Sequence, residues 1–418
     1  MRGVLLLLLA STLAQPASAK VADMTPVTVV QVEQILADLH GKSDGKATEQ
    51  LSTLQLTQRL SSPRLARLQA DLPGPKSRQQ LLALADASAF FDLPADEIPS
   101  TPKLDPAAQS ALLNRVQDYV IATVPRVPNF FATRETTRFE DSPAVDQSAP
   151  PPVAGQGLAA PYVPGGQPSV PIAPPERRQV SSYQPLHVVG VSSVTVLIRD
   201  RHEVVDAGAA KGKQAQTADR GLSTAGEFGP ILVTWLVDSI KGQVTWGHWE
   251  QGPTGPRVVF RYSVPLKASH YTVIVPGEGK NSQYASAYHG EIAVNPADGT
   301  ILRLTMIADI EPDAVVRRSD IAVEYSPVQI GGVTYNCPVK SVAVSLVRLL
   351  PSGPVHGAGS GLASLNQVLL HVNDVAFTQY HLFRAETRVL SADSPDPGAS
   401  PPPASATPAP APSNPPRP

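Results

Sequence analysis

Cysteine is almost missing from this chain: Cys337 is the only one among 418 residues, so no intramolecular disulfide forms. It lies in the alternating stretch 333–338, which predicts a buried and inert thiol. Beyond the N-terminus, no apolar run is long enough to span a bilayer. We therefore expect a mature chain without a transmembrane helix, stabilised by its core rather than by cross-links.

Charge is also scarce. Charged residues make up 17% of the chain, and the formal net charge is −2. Nucleic acids and anionic membrane surfaces are bound through concentrated basic patches. The composition therefore argues against nucleic acid as a partner and against a strongly electrostatic membrane patch.

Recognisable catalytic motifs are lacking as well. The chain has no Gly-rich phosphate loop, nucleophile elbow, His-Glu-x-x-His or Cys-x-x-Cys motif. His248 with Glu250, and His289 with Glu291, stand two apart on predicted strands, but a catalytic zinc normally takes three protein ligands. The sequence predicts no catalytic residue, no metal site and no cofactor. A metal-dependent hydrolase built on His289 and Glu291 remains as a third alternative to the functions below.

The N-terminus carries the pattern of a secretory signal peptide. Arg2 precedes an apolar run over residues 4–10, and small residues follow at Ala17 and Ala19. This order predicts a signal peptide over residues 1–19 with cleavage near Ala19. Export without disulfides suits a bacterial protein. We expect a periplasmic or secreted protein.

Residues 20–126 have a helical pattern. A capping side chain followed by proline marks helix starts at Thr25-Pro26, Ser62-Pro63 and Asp105-Pro106. Narrow apolar stripes follow at helical spacing. We expect four or five short helices, which either form a small bundle or pack on a neighbouring sheet.

Residues 127–390 are mostly β. Predicted strands span residues 129–139, 188–198, 244–250, 258–264, 271–275, 288–294, 301–307, 321–330, 333–347 and 368–388. Short turns, with Gly299 in one and Gly331-Gly332 in another, predict an antiparallel sheet. The Pro-rich segments 142–182 and 391–418 are predicted to be a disordered insertion and a disordered tail.

One amphipathic helix interrupts the strands. Thr224 and Glu227 have the spacing of a capping box, and Gly242 ends the pattern. Alternation predicts that Trp246 and Trp249 point to opposite faces of their strand. The helix and adjacent strands supply seven candidate ligand-binding side chains: Phe228, Ile231, Leu232, Trp235, Trp246, Phe260 and Tyr262. They either line an apolar cavity or fill a close-packed core.

Two resemblances bear on this chain. Residues 295–304 (NPADGTILRL) resemble the D-x-x-T-G-x-I-x-R hairpins of periplasmic lipoprotein-carrier (LolA/LolB-like) half-barrels, with Asp298-Gly299-Thr300 in a different order. That resemblance implies a curved antiparallel sheet around an apolar cavity covered by helices. Residues 54–61, 127–130 and 328–332 resemble segments of uncharacterised exported acidobacterial-type proteins, a likeness that implies no known activity.

The sequence thus predicts an α+β fold, with an N-terminal helical region followed by a curved antiparallel β-sheet (half-barrel) and an inserted amphipathic helix. The predicted function is that of an exported, non-enzymatic cell-envelope protein. Its ligand would be a lipid, a lipoprotein acyl chain or another apolar molecule held between the sheet and the covering helix. The alternative is a structural or protein-interaction module that contacts envelope proteins through a fully packed fold.

Overall fold

A computed structural model describes residues 24–141, 185–199, 202–205, 226–275, 282–311, 314–348 and 368–383. The predicted signal peptide, Pro-rich insertion and tail lie outside the described residues. Among the helices of the described segments, none has the length and apolar character needed to cross a membrane.

The helices fall into an N-terminal series and one insertion. The series comprises α1 (Val29–Asp38), α2 (Asp44–Ser52), α3 (Ser62–Ala70), α4 (Pro75–Ala87) and α5 (Pro106–Thr123), and α6 (Pro230–Ser239) is inserted among the strands. Two short strands, β1 (Thr25–Val27) and β2 (Leu54–Leu56), pair in parallel. We call α1 to α4 with β1 and β2 the helical layer, because they share one apolar core.

Local capping signals located two of the three predicted helix starts. Helix α3 begins at Ser62, and the side chain of Asp105 accepts a hydrogen bond from Ala108 N at the start of α5. The start predicted at Thr25-Pro26 is wrong, because those residues pair with β2. Helix α1 begins instead behind Thr28, which forms a capping box with Gln31.

Ten antiparallel strands form the main sheet, in the order β5-β4-β3-β14-β13-β12-β11-β10-β7-β6. These strands are β3 (Phe130–Glu140), β4 (His187–Arg199), β5 (His202–Val205), β6 (Gln243–Gly252), β7 (Gly255–Val264), β10 (Ala287–Val294), β11 (Ile301–Asp309), β12 (Val316–Ile330), β13 (Val333–Arg348) and β14 (Val368–Leu382). A separate hairpin joins β8 (Thr272–Val275) to β9 (Ser282–Ala285). The sheet is open, with β5 and β6 as its edges, so the predicted α+β fold with a curved antiparallel sheet is confirmed.

Alternation along the strands gives the sheet two different faces. On β12, Ile321 and Val323 pack with α5 and α6, whereas Ala322 packs with α4 on the opposite side. We call the surface under α5 and α6 the aromatic face, because it carries Phe260, Tyr262, Tyr288 and Tyr325. The surface under the helical layer is the charged face, which carries Glu250, Arg257, Arg303, Glu324 and Lys340.

The predicted helical region is divided between these two faces. Helix α4 packs on the charged face, where Ala83 contacts the cluster of Phe139, Val342 and Val344. Helix α5 lies on the aromatic face, and its Val116 is fully buried there. The helical region therefore packs on the sheet, and it does so on both sides of it.

Two predictions near α6 are wrong. A β-bulge shifts the register between Trp246 and His248, so Trp246 and Trp249 contact each other on the aromatic face with ring centroids 5.9 Å apart. Gly247 permits the bulge, because a Cβ there would lie 2.8 Å from the carbonyl oxygen of Val259.

The predicted capping box of α6 does not form. The helix begins at Pro230, so Glu227 lies ahead of its first turn. The buried carboxylate of Glu227 instead lies 3.4 Å from the guanidinium of Arg134, while Thr224 lies outside the described residues. An ion pair with arginine stabilises a buried carboxylate more than a capping position at the start of a helix does.

Burial of Cys337 agrees with its predicted role. The residue is 2% exposed, and burial raises the pKa of its thiol to about 12. The thiolate, which is the reactive form, is therefore absent near neutral pH.

The two glycine turns provide a test of the fold. Gly299 has φ +77°, and a Cβ there would lie 2.7 Å from the backbone carbonyl carbon of Arg115 in α5, whereas Gly332 has φ +86° and open space around it. We expect Gly332→Ala to lower the free energy of unfolding by about 1–2 kcal/mol through the left-handed backbone alone. Gly299→Ala should lower it further, because the turn must also move away from α5. Urea unfolding of both variants measures the difference, and equal losses would contradict the contact.

Candidate functional site

The seven predicted ligand-binding residues lie mainly in one core. Five of them are buried together on the aromatic face, with Trp246 half-buried at the edge of the same cluster: Ile231, Leu232, Trp235, Phe260 and Tyr262. Phe228 precedes α6 and joins a separate cluster, where its ring lies 4.9 Å from that of Phe377. The structure therefore brings six of the seven together.

These side chains are closely packed against one another. Trp235 is 1% exposed and meets Tyr262 edge-on, with ring centroids 6.2 Å apart, and Trp246 meets Phe260 in the same way at 6.1 Å. The hydroxyl of Tyr262 donates to the carbonyl of Thr305. None of the seven lines any of the three cavities described next. Their role as a ligand site stays a prediction, and these three cavities lie on the charged face.

An apolar cavity of about 260 Å³ lies between the helical layer and the sheet. Its lining is Met24, Leu54, Gln55, Leu56, Leu84, Ala87, Ser88, Phe91, Asp141, Pro185, Leu186, Arg318 and Leu370. Side chains of β2 and α4 form one wall, and the ends of β12 and β14 contribute the other. The cavity thus exists because two layers meet there with mainly apolar side chains.

Two ionisable residues line this apolar cavity. Arg318 donates through Nε to the carboxylate of Asp320, and its guanidinium carbon lies 5.6 Å from the centre of the Phe90 ring. The carboxylate of Asp141 accepts a hydrogen bond from Leu370 N at 2.7 Å. A cation and a carboxylate therefore lie beside an otherwise mainly apolar space.

A second, smaller cavity of about 60 Å³ lies elsewhere on the charged face, and we call it the charged cavity. Its lining includes seven ionisable side chains: Arg59, Asp86, Glu250, Arg257, Arg303, Glu324 and Lys340. Pairing across the strands places them side by side, since Glu324 is opposite both Arg303 and Lys340, and Glu250 is opposite Arg257. The start of α3, at Ser61, Ser62 and Pro63, closes one side.

Glu250 is the centre of an ion-pair network in this cavity. Arg303 donates to both oxygens of Glu250, at 3.1 and 2.9 Å, and Arg59 of the helical layer donates to Oε2 at 2.7 Å. The three side chains are buried. Charges removed from water in this way are stable only when each has an opposite partner, so this network fixes how the helical layer sits on the sheet.

A second ion pair, between half-buried Lys340 and buried Asp86, connects α4 to the sheet. Lys340 Nζ donates to Asp86 Oδ1 at 2.7 Å and lies 3.1 Å from Asp374 Oδ1. Burial raises the pKa of Asp86 to about 7, because removal from water and the neighbouring Asp374 outweigh the attraction of Lys340. Asp86 therefore changes its charge near neutral pH.

A wide groove of about 470 Å³ adjoins the charged cavity. The two spaces share Ser61, Pro63, Glu250 and Gln251 as lining residues. Arg64 lines the groove, but Glu33 and Glu97 already engage its guanidinium at 2.7 and 2.8 Å. The charged cavity therefore continues into a larger space along the start of α3.

Of the two His–Glu pairs noted in the sequence, His289 and Glu291 have other partners, whereas His248 lies near Glu250. His289 Nδ1 lies 2.7 Å from Asp309 Oδ1, while Glu291 pairs with Arg261 and Arg303. His248 Nε2 lies 3.9 Å from Glu250 Oε2. Within the described segments, no group of three or more His, Cys, Asp or Glu residues is placed to hold a metal ion.

A carboxylate–histidine pair that the sequence did not predict connects α6 to the segment before β8. Asp238 is fully buried and accepts from Tyr288 Oη at 2.9 Å and from His270 N at 2.9 Å, and its other oxygen contacts His270 Nδ1. The ring of His270 makes no further hydrogen bond among the described residues, so no nucleophile is paired with it. Asp238, His270 and Tyr288 are 18 or more positions apart in sequence, so no local pattern predicts this contact.

Three comparisons with known proteins found no match for this chain. No family model matches the chain, no curated protein matches it, and no solved structure matches it.

The raised pKa of Asp86 predicts a pH-dependent stability. Its pKa in the folded chain is about 7, against an ordinary value of 3.8, so the folded chain keeps a proton that the unfolded chain releases. The stabilisation from Asp86 is complete below about pH 4 and is lost as the pH rises to about 7. Asp86→Asn has no such loss. The free energy of unfolding of Asp86→Asn minus that of the wild type should therefore increase over this interval, by up to about 1.4 kcal/mol for each unit of raised pKa.

Urea unfolding at several pH values measures this difference. Asp118→Asn, at an exposed position on α5, is the matched control and should follow the wild type throughout. A difference that stays constant with pH would show that Asp86 remains ionised in its pair with Lys340.

Proposed function

We propose that this chain is an exported, non-enzymatic binding protein of the cell envelope that holds an acyl chain or similar apolar ligand in the apolar cavity. The observation that carries the proposal is a space of about 260 Å³ between two layers, lined mainly by apolar side chains. The ligand class is the one expected from the sequence, a lipid or a lipoprotein acyl chain. The proposed place differs: it lies between the helical layer and the charged face, rather than beneath α6.

The volume suits a small apolar ligand. An engineered apolar cavity of about 150 Å³ is large enough to bind benzene, and drug-sized sites begin at about 300 Å³. A space of about 260 Å³ therefore accepts a single ring or part of an acyl chain, with the remainder outside. Burial of each methylene contributes roughly 0.8 kcal/mol, so a few carbons give measurable affinity.

The charge beside the cavity favours one end of such a ligand. Arg318 lines the space, and its guanidinium offers further N–H donors beyond the one that engages Asp320. A carboxylate at the end of an acyl chain is a good partner for a guanidinium. We therefore choose a fatty acid as the first ligand to test.

Filling the cavity tests the proposal. Ala87 lines it from the last residue of α4, and Phe at this position occupies part of the space. The purified mature chain should bind a dansyl-labelled fatty acid, and dodecanoic acid should displace it. We expect Ala87→Phe to weaken this binding at least about tenfold, equivalent to about 1.4 kcal/mol.

A matched control separates the cavity from the added ring. Ala111→Phe places the same side chain at an exposed position of α5 and should bind like the wild type. Circular dichroism confirms that both variants fold. Wild-type affinity in Ala87→Phe, or no binding by the wild type, would contradict the proposal.

One observation favours the alternative of a protein-interaction module. The outward side of α6 is apolar, since Val233, Val237 and Ile240 are 40%, 45% and 70% exposed. Their spacing places them on one stripe of the helix. A chain that binds no fatty acid, and in which Ala87→Phe only stabilises the fold, would shift the assignment to an envelope module that contacts an apolar partner surface through α6.

A further inference from the structure

We propose that the charged cavity is a binding site for one phosphate group, held by Arg257 and the N-terminus of α3. This site is separate from the apolar cavity and does not depend on the function proposed for it. Three features support it: a buried cation without a partner, backbone donors without a side-chain cap, and the size of the space.

Arg257 is the residue expected to bind the anion. It is 7% exposed and lines the charged cavity, yet it makes no hydrogen bond or ion pair within the described segments. Glu250 is opposite it across β6 and β7, but Arg59 and Arg303 already engage both oxygens of that carboxylate. An arginine is always charged in proteins, and Nε of this largely buried guanidinium has no hydrogen-bond partner, so an anion beside it would be stabilising.

The fold holds Arg257 in this position. A Cβ on Gly252 would lie 2.0 Å from Arg257 Nε, so the side chain lies directly on the glycine backbone. Any larger residue at position 252 would force the guanidinium away from this path. The cation is therefore placed by the β6–β7 hairpin rather than left free on the surface.

The N-terminus of α3 adds donors on the same cavity. Ser61 is the N-cap residue, but its side chain makes no capping hydrogen bond in the described structure. The amide of Ser62 is in the first turn, where backbone N–H groups have no partner within the helix, and both serines line the cavity. The Glu324 carboxylate accepts from Ser62 Oγ at 3.1 Å and leaves the backbone amides of this turn without a side-chain cap. Such amides and the positive end of the helix dipole attract an anion, and phosphate is a frequent ligand at such positions.

Charge and volume are consistent with one such group. The lining carries four basic residues, Arg59, Arg257, Arg303 and Lys340, against three acidic ones, Asp86, Glu250 and Glu324. A volume of about 60 Å³ equals the share of roughly two water molecules in the liquid, which suits one oxyanion and no larger body. The adjoining groove past Ser61 and Pro63 leaves room for the rest of a phosphate monoester.

Isothermal titration with inorganic phosphate, at constant ionic strength in sodium chloride, tests the site. We expect the wild-type chain to bind one phosphate and Arg257→Gln to bind it at least about tenfold more weakly, because a hydrogen bond to a charged group is lost. Without phosphate, Arg257→Gln should unfold at an equal or higher urea concentration than the wild type, since it removes an unpaired buried charge. Arg126→Gln, at an exposed position, is the control and should bind as the wild type does.

A second variant, Ser61→Asp, tests the same phosphate site if Arg257→Gln fails to fold. Ser61→Asp supplies a good N-cap for α3 and so preserves the helix, but its carboxylate occupies the same amides and repels phosphate. We expect this variant to fold and to lose phosphate binding. Fatty-acid binding should be unchanged in both variants, which distinguishes failure at this site from failure of the proposed function.

The comparison ligands identify the source of the phosphate. Tighter binding of glycerol phosphate than of inorganic phosphate supports a monoester whose remainder lies in the groove, and equal binding supports free phosphate. Acetate that binds as tightly as phosphate would overturn the assignment in favour of a carboxylate. Absence of phosphate binding by the wild type, or unchanged binding in Arg257→Gln, would overturn the site itself.

Discussion

Buried charge between two layers is the constraint on which this structure depends. Glu250 receives Arg303 from its own sheet and Arg59 from the helical layer, and Lys340 reaches Asp86 on α4. Neither the layer nor the sheet can shift without leaving one of these groups unpaired in a dry environment, which costs several kcal/mol. Apolar contacts supply most of the attraction between the layers, and the ion pairs select one relative position among those that such contacts allow.

The same constraint explains why space is found where it is. On the aromatic face, the rings meet edge-on, Trp235 with Tyr262 and Trp246 with Phe260. Around Glu250 and Lys340 on the charged face, the positions of side chains are set by their ion-pair partners, so the surfaces do not interdigitate as fully there and the charged cavity remains. Small residues on α4, such as Ala85 and Ala87, bring the helix close to the sheet while leaving room beside it.

Features that depend on neighbours in sequence were predicted well. The hairpin at residues 295–300 forms around Gly299 with a positive φ, and Gly331-Gly332 joins β12 to β13. Asp105 caps α5 because the capping contact spans only three residues. The wrong predictions concern residues that contact a distant element. Thr25–Val27 form a strand because they pair with β2, and Glu227 lies ahead of α6, where its carboxylate pairs with Arg134.

The sequence alone determined the fold class, most strand positions, the two glycine turns and the burial of Cys337, because alternation, turn chemistry and capping act over a few residues. Tertiary structure decided the rest. The bulge at Gly247 put both tryptophans on one face, and the two faces of the sheet divided the helical region between them. The charged cavity brings together residues that are up to 244 positions apart in sequence, from 59 to 303: Arg59, Glu250, Arg257 and Arg303. No local pattern relates such residues, and only the packing of the helical layer on the sheet brings them around one cavity.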